Sequence, residues 1–280
     1  MAQNLAVLHT FFIFVDNKID VNMSRKTTIG WMLCAALCCT SCRSQYELTD
    51  ISVTRVPIDA TWDAAQDAEI VALIAPYKSQ FEGMMNEVLG QAAVSMDKRR
   101  PEDLLGNLIA DVLREAGARV LQHPADVGLM NMGGIRNVLT EGNITVGNVF
   151  EILPFENALC VLQLRGSQLK KLFEQIASRG GEAISGARMV MTTGRELVSV
   201  EVGGKPIDDD KVYTLATIDY LAEGNDGLTA IREVVGSDYP ENAVLRDVFM
   251  DYVKQCTARG EIINSQVEGR VTVLSVDPKK

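Results

Sequence analysis

The sequence has 280 residues, 47% of them hydrophobic, which is enough for one globular domain with a sizeable core. Its 27 Lys and Arg residues are outnumbered by 37 Asp and Glu residues, for a net charge of -10 at pH 7, and no basic stripe is visible. This balance excludes DNA and RNA polymers as partners, because a nucleic-acid backbone needs a basic surface.

The N-terminal region has the three-part pattern of an export signal peptide over residues 23–41. Arg25 and Lys26 precede an apolar run (IGWMLCAALCC), and small polar residues follow it. The run is too short to span a bilayer. Residues 1–22 carry a separate apolar cluster with acidic residues, and we predict that translation starts at Met23, so that residues 1–22 are not part of the native protein.

Small residues before Cys42 resemble a bacterial lipoprotein cleavage site. This resemblance predicts a lipidated Cys42 and a cell-envelope lipoprotein, on the periplasmic or surface face, which meets the membrane through its lipid anchor only. Cys39 stands where leucine is usual, so a secreted soluble form is the alternative. Residues 42–62 are predicted to form a tether and a first strand (ISVTRVPI), and residues 63–280 form one domain.

Cys160 and Cys256 are the cysteines that remain after signal cleavage. An oxidising compartment allows a disulfide between them. However, Cys160 lies in an apolar strand-like run and Cys256 in a helix-like one, which favours two buried thiols.

Helix signals dominate the first half of the domain. Residues 64–88 are rich in helix formers, and Pro76 is predicted to kink or divide this helix. Residues 102–118 place leucine, isoleucine and valine at helical spacing between Pro101 and Gly117, which predicts an amphipathic helix.

Strands and helices then mix without strict alternation. The predicted strands are ADVGLMN, ALCVLQLRG, the segments near residues 188–191 and 197–202, KVYTLATIDYLA and GRVTVL. Helices are predicted over SQLKKLFEQIASRG and residues 243–256. No repeat is visible. The pattern indicates a mixed α/β (α+β) fold in which mixed sheets are flanked by helices.

Gly133, Gly134 and Arg136 follow the first of these buried strands. Two glycines can simply mark a turn that needs positive φ or a close backbone approach. Alternatively, a turn without side chains exposes N–H groups to an anion, and Arg136 adds a bidentate donor for phosphate or carboxylate. The GGIR segment alone does not decide between these interpretations.

Two further segments carry aromatic residues beside polar ones. Phe155 lies two residues before Asn157, and Tyr220 precedes a turn that contains Asp226. Each segment alone has a structural interpretation, as a core aromatic or an ordinary turn. Together they provide two aromatics for a flat ring, an amide for a ring edge, an acid for hydroxyls and an arginine for phosphate, which suits a nucleotide.

Four ordered motifs carry a family resemblance. LLGNLIAD (104–111), NMGGIRN (131–137), ITVGNVFEILPFEN (144–157) and YTLATIDYLAEGNDG (213–227) resemble the C-terminal, substrate-binding domain of bacterial and animal 5'-nucleotidases. The match covers about residues 95–275 and implies the layered architecture of that domain, here as a stand-alone bacterial lipoprotein.

The resemblance implies a role for each matching residue. Phe155 and Tyr220 would stack on the base, Asn157 would contact its edge and Asp226 the ribose. The phosphate would meet Arg136, beside the anion turn of Gly133 and Gly134. Arg99 would be a second arginine, and its neighbour Arg100 could substitute for it.

Three positions depart from the family pattern. Met132 and Asn225 each stand where glycine is usual, and Tyr220 replaces a more usual phenylalanine. Met132 is expected to crowd the anion turn, which affects the phosphate contact more than the base contact.

In this family a separate metallophosphatase domain hydrolyses the phosphate with two metal ions. This sequence has only His9 and His123, so we expect no metal ligands, no cofactor and no catalytic residue in this chain. One hypothesis is a nucleoside or nucleoside monophosphate binder that works in nucleotide catabolism with a separately encoded metallophosphatase, on which the divalent metal pair lies. The alternatives are a non-catalytic nucleotide-binding surface lipoprotein and a scaffold with a retired pocket.

Overall fold

The protein is described by a computed structural model that covers residues 52–61 and 67–275. The first range belongs to a unit from Met1 to Ala65, and the second to a compact unit from Gln66 to Lys280. The predicted signal peptide, residues 1–22 and Cys42 lie outside the described residues.

The predicted first strand (ISVTRVPI) is wrong. Residues 52–58 form no strand, and Val53 and Ile58 are 82% and 97% exposed. An alternating pattern produces a strand only where one side packs on a core, and the apolar side chains of this segment are open to solvent.

The helices of the compact unit are α1 (Ala68–Met85), α2 (Leu104–Ala116), α3 (Ala118–Leu121), α4 (Val146–Ile152), α5 (Gly166–Ser178), α6 (Asp219–Ala222) and α7 (Leu245–Ala258). Its strands are β1 (Val88–Ala92), β2 (Val127–Met130), β3 (Gly142–Thr145), β4 (Leu159–Arg165), β5 (Ala183–Ser185), β6 (Ala187–Thr192), β7 (Leu197–Val202), β8 (Lys205–Pro206), β9 (Val212–Ile218), β10 (Gly236–Asp238) and β11 (Val271–Leu274). Short 3₁₀ turns span Asn225–Gly227 and Thr229–Arg232. Mixed sheets flanked by helices confirm the predicted fold class.

Helix α1 begins at the N-cap residue Asp67, whose carboxylate accepts from the backbone N–H groups of Glu69 and Ile70. Pro76 lies inside the helix and does not divide it. None of its residues is buried, although the helix is mostly apolar. Within the described parts of the chain, no helix has the length and hydropathy needed to cross a bilayer.

A five-stranded mixed sheet in the order β10-β4-β9-β2-β5 lies at the centre. Strands β2 and β9 run parallel, whereas β4 is antiparallel to β9. Helix α2 packs against β2 and β5, and it buries Leu105, Ile109 and Leu113 completely, as its periodicity predicts. Helix α5 packs against β4.

Two smaller sheets complete the unit. Strands β1 and β3 form an antiparallel pair, and a four-stranded sheet has the order β11-β6-β7-β8. Cys160 in β4 and Cys256 in α7 are both buried free thiols. This agrees with the interpretation that the sequence favours.

Candidate functional site

The strand directions bring three separate segments to one edge of the central sheet. Strands β2 and β9 are parallel, so their carboxyl ends lie at the same edge. In the antiparallel pair β4 and β9, Leu159 at the start of β4 lies opposite Ile218 at the end of β9. The segment before β4 therefore meets the segments after β2 and β9.

A cavity of about 400 Å³ opens where these segments meet. Its lining consists of Asn131, Gly133, Gly134, Arg136, Phe155, Asn157, Tyr220 and Asp226. The structure thus brings together all the residues predicted to contact a ligand except Arg99, and adds Asn131. The volume lies within the range of small-molecule sites.

Phe155 and Tyr220 supply two half-exposed aromatic rings to this cavity. They are 47% and 40% exposed, which is unusual for aromatic side chains. The guanidinium of Arg136 lies 5.9 Å from the centre of the Phe155 ring. Tyr220 lies on the one-turn helix α6 rather than on the predicted strand, which ends at Ile218.

Contacts with helix α7 hold the segment that carries Phe155 and Asn157. The Arg246 guanidinium lies 4.0 Å from the Phe150 ring and donates to the Pro154 carbonyl at 3.5 Å. The Asn157 carbonyl accepts from the Leu245 N–H at 2.8 Å. These contacts fix the loop backbone and leave the Phe155 ring open to the cavity.

Asp226 is held in a left-handed backbone conformation, with φ 56° and ψ 19°. One carboxylate oxygen, Oδ2, accepts from the Asn131 amide at 2.7 Å and lies 3.5 Å from the Arg179 guanidinium. The other oxygen, Oδ1, accepts from the Tyr220 hydroxyl at 3.2 Å. The charge of Asp226 raises the pKa of Tyr220, because loss of the phenol proton would place two negative charges side by side.

The turn after β2 is built by close approach rather than by positive φ, which neither Gly133 nor Gly134 adopts. A Cβ on Gly134 would lie 2.4 Å from Met130 Cε and 2.7 Å from Asn131 Oδ1, whereas one on Gly133 would meet its nearest atom at 3.6 Å. A side chain at Gly134 therefore fits only if the ends of the Met130 and Asn131 side chains shift.

The turn exposes fewer backbone donors than the predicted anion turn. The Gly134 N–H donates to the Asn131 carbonyl and the Arg136 N–H to the Ile152 carbonyl. The Met132 N–H donates to Glu182 at 2.6 Å. Met132 itself is 6% exposed and packs into the core, so its side chain does not produce the crowding of the anion turn that the sequence predicts.

Lys98 fastens the same turn by donating to the carbonyls of Met132 and Ile135. Burial of its ammonium and the charge of Arg136 lower the pKa of Lys98. The Gly133 carbonyl accepts from the Arg136 guanidinium at 3.1 Å, and the Arg136 side chain is exposed at the cavity.

Arg99 does not line the cavity. Its side chain is 78% exposed, and its nearest carboxylate partner is Asp97 at 3.9 Å. A different arginine lies beside the site: Arg179, at the end of α5, whose guanidinium is close to the Asp226 carboxylate. Sequence reasoning missed Arg179, Glu182 and Asn131, although Asn131 begins the NMGGIRN motif and could have been found there.

No three His, Cys, Asp or Glu side chains among the described residues come together in a way that would hold a metal ion. His123 is exposed in a loop, with Nδ1 2.8 Å from the Pro124 carbonyl oxygen. The described residues therefore do not fit a dimetal centre.

The chain resembles known proteins in sequence and in fold. A family model described as "5'-nucleotidase, C-terminal domain" matches residues 86–233, more than half of the chain. The trifunctional nucleotide phosphoesterase protein YfkN of Bacillus subtilis is 29% identical over 262 residues, a match that covers 84% of this chain and 17% of that protein. The cell wall protein Lmo0130 of Listeria monocytogenes is 31% identical over 243 residues, which are 75% of this chain and 30% of that protein.

A solved structure shares the fold. The crystal structure of the 5'-nucleotidase precursor from Thermus thermophilus matches with a TM-score of 0.64 and 29% identity, over 72% of this chain and 42% of that one. The chain thus spans less than half the length of each of these three proteins.

Proposed function

The chain belongs to the 5'-nucleotidase C-terminal domain family, and from this premise we propose that its cavity binds the nucleoside part of a nucleotide. The observation that carries the proposal is the set of groups around one cavity: two half-exposed aromatic rings, an amide, a carboxylate and an arginine. A retired pocket has no need to keep exposed aromatic rings beside an acid and an amide.

Each group has a chemical task in this proposal. The base stacks between Phe155 and Tyr220, since every base has a π-face that an aromatic ring can cover. Asn157 hydrogen-bonds the base edge, and Asp226 accepts from ribose hydroxyls. Arg136 offers a bidentate donor to a 5'-phosphate.

Asn131 supports the same assignment. It is 4% exposed and lines the cavity, and its amide nitrogen donates to Asp226 Oδ2 at 2.7 Å. This hydrogen bond holds the carboxylate that would meet the ribose at the cavity.

Hydrolysis of the phosphate, as a step in nucleotide catabolism, falls to a separately encoded metallophosphatase in our proposal. Its pair of divalent metal ions would supply the attacking hydroxide and neutralise charge on the phosphoryl group. Helix α1 supports a partner, because Leu73, Tyr77 and Phe81 are 66%, 73% and 57% exposed. A mostly apolar helix with no buried side chain is normally covered by another part of an assembly.

The partner proposal is tested with the tagged full chain, AMP and a divalent cation. The chain alone should release no phosphate above background. After incubation with an envelope extract of the cells that make it, chelator-sensitive AMP hydrolysis should co-purify with the tag. Turnover by the pure chain, or no activity after incubation, would contradict the proposal.

A matched pair of variants tests whether the partner contacts helix α1. Phe81→Glu on α1 should abolish the co-purifying activity without changing adenosine affinity. Val198→Glu is the control, because Val198 is similarly exposed at 54% but lies on β7. Equal loss in both variants would contradict an α1 interface.

We also propose the domain layout that the sequence predicts: start at Met23, signal peptide 23–41, lipidated Cys42 in an envelope lipoprotein, and a domain from residue 63. The name of the Listeria relative, a cell wall protein, supports export. Labelling with a radioactive fatty acid tests the anchor: the chain should be labelled, and Cys42→Ala should not. Label in both, or in neither, would exclude lipidation at Cys42.

A further inference from the structure

Arg179 lies between two carboxylates, only one of which belongs to the cavity. Its Nε donates to Glu182 Oε1 at 2.7 Å, and its terminal nitrogen lies 3.5 Å from Asp226 Oδ2. It caps the end of α5, where Gly180 and Gly181 take φ values of 85° and 97° and turn the chain toward Glu182. This turn lets one arginine reach both acids.

Glu182 is the fixed point of this cluster, because its side chain has no exposed surface. Oε1 accepts from Arg179 and, at 2.5 Å, from Arg100, whereas Oε2 accepts from the Met132 N–H at 2.6 Å. A buried carboxylate is tolerated only when such donors surround it. Glu182 therefore links Met132, at the start of the turn that carries Arg136, to Arg179, which contacts Asp226.

The two oxygens of Asp226 are held unequally. Oδ2 is engaged by Asn131 and Arg179, while Oδ1 meets only the Tyr220 hydroxyl among the described residues, and 22% of the side chain stays exposed. An ionised carboxylate has about four acceptor positions. Oδ1 is thus the oxygen with capacity left for a ligand.

We propose that Arg179, fixed by Glu182, is a positioning residue for ribose recognition: it orients the Asp226 carboxylate so that Oδ1 faces the ligand's hydroxyls. The inference rests on the proposed function of Asp226 as the ribose contact. Arg179 does not line the cavity and acts through Asp226 rather than on the ligand itself.

The test compares two arginines that share Glu182. Arg100 also pairs with Glu182, but its partners in the described structure are Glu182 and the Gly181 carbonyl rather than Asp226. Arg100→Met therefore controls for the loss of a donor to the buried carboxylate. The readout is the ratio of affinities of the purified full chain for adenosine and for 2',3'-dideoxyadenosine, which lacks the 2'- and 3'-hydroxyls and keeps the 5'-hydroxyl. A merely structural role would lower both affinities and leave the ratio unchanged.

Wild type should prefer adenosine by about tenfold or more, the scale of a hydrogen bond to a charged group. Arg179→Met should reduce this preference to about twofold or less, as should Asp226→Asn. Arg100→Met should keep the wild-type ratio even if its melting temperature falls. In the Asp226→Asn background, Arg179→Met should change the ratio no further.

Arg179→Lys guards against a variant that fails to fold. Lysine preserves the charge near Glu182, but a single ammonium cannot replace the fork that reaches both acids, so the ratio should fall at least about threefold. If Asp226→Asn loses the preference for adenosine but folded Arg179→Lys or Arg179→Met keeps the wild-type affinity ratio, the inference about Arg179 is overturned and the ribose assignment of Asp226 stands. Absence of adenosine binding, or of any preference in wild type, would overturn the ribose assignment and this inference together.

Discussion

Truncation of Phe155 separates base stacking from fold stability. The ring is 47% exposed, so the fold gains little from it, whereas a bound base would cover its open face. Stacking of a base on an aromatic ring contributes on the order of 1 to 3 kcal/mol. Phe155→Ala should therefore weaken adenosine binding by about 5- to 150-fold.

The fold should tolerate this change, because the variant loses a half-exposed ring and one cation–π contact with Arg136 at 5.9 Å. Such a contact at an exposed site contributes about 0.5 to 1 kcal/mol, so the free energy of unfolding should fall by about 1 kcal/mol or less. Urea denaturation measures this quantity on the same preparation.

Phe81→Ala is the matched control, since Phe81 is 57% exposed on α1, away from the cavity lining. Calorimetric titration with adenosine and AMP is the assay. Phe155→Ala should weaken both ligands by the same factor, because stacking does not depend on the phosphate, and Phe81→Ala should weaken neither. Wild-type affinity in Phe155→Ala, or an equal loss in Phe81→Ala, would refute the stacking argument.

The site and the core lead to three other predictions. Asp226→Ala should weaken the binding of adenosine about tenfold or more in equilibrium dialysis but leave the binding of free adenine unchanged. An equal loss of affinity for both ligands would contradict ribose recognition. Gly134→Ala should lower the free energy of unfolding by about 1 kcal/mol in urea, because Met130 Cε at 2.4 Å and Asn131 Oδ1 at 2.7 Å must shift to admit its Cβ. Gly133→Ala, with no atom nearer than 3.6 Å, should cost clearly less, and equal losses would contradict the packing argument. Burial and the charge of Asp219 raise the pKa of Cys160 from 9.0 to about 12. The contribution of this thiol to the free energy of unfolding is therefore fully present below pH 9 and falls by about 1.4 kcal/mol per pH unit between pH 9 and 12. Cys160→Ala should show a shallower decline of stability over that interval, and identical slopes would contradict the assignment.

Long periodic elements could be predicted from the sequence because their own pattern decides their structure. Helix α2 is an example, since its leucines, isoleucine and valine are spaced for one face and all except Leu104 are buried. The short strands β1, β3 and β10 could not be predicted, because three to five residues carry no clear period and their pairing depends on distant partners.

The site residues within motifs could be predicted, and those held by tertiary contacts could not. Phe155, Tyr220 and Asp226 stand in recognisable segments, and the strand directions bring those segments together. The local pattern predicts the end of α5 near Arg179, but it does not predict that this end lies beside Asp226, because that proximity depends on tertiary packing. Arg99 shows the converse, because a position assigned by resemblance does not ensure that a long side chain points into the cavity.

Calorimetric titration of the purified chain with adenosine, AMP and free ribose tests the central claim most directly. The account predicts saturable one-to-one binding of adenosine and AMP, tighter for AMP where Arg136 meets the phosphate, and no measurable binding of ribose alone. Absence of binding by both adenosine and AMP to the folded chain would contradict the assignment of this cavity as a nucleoside site.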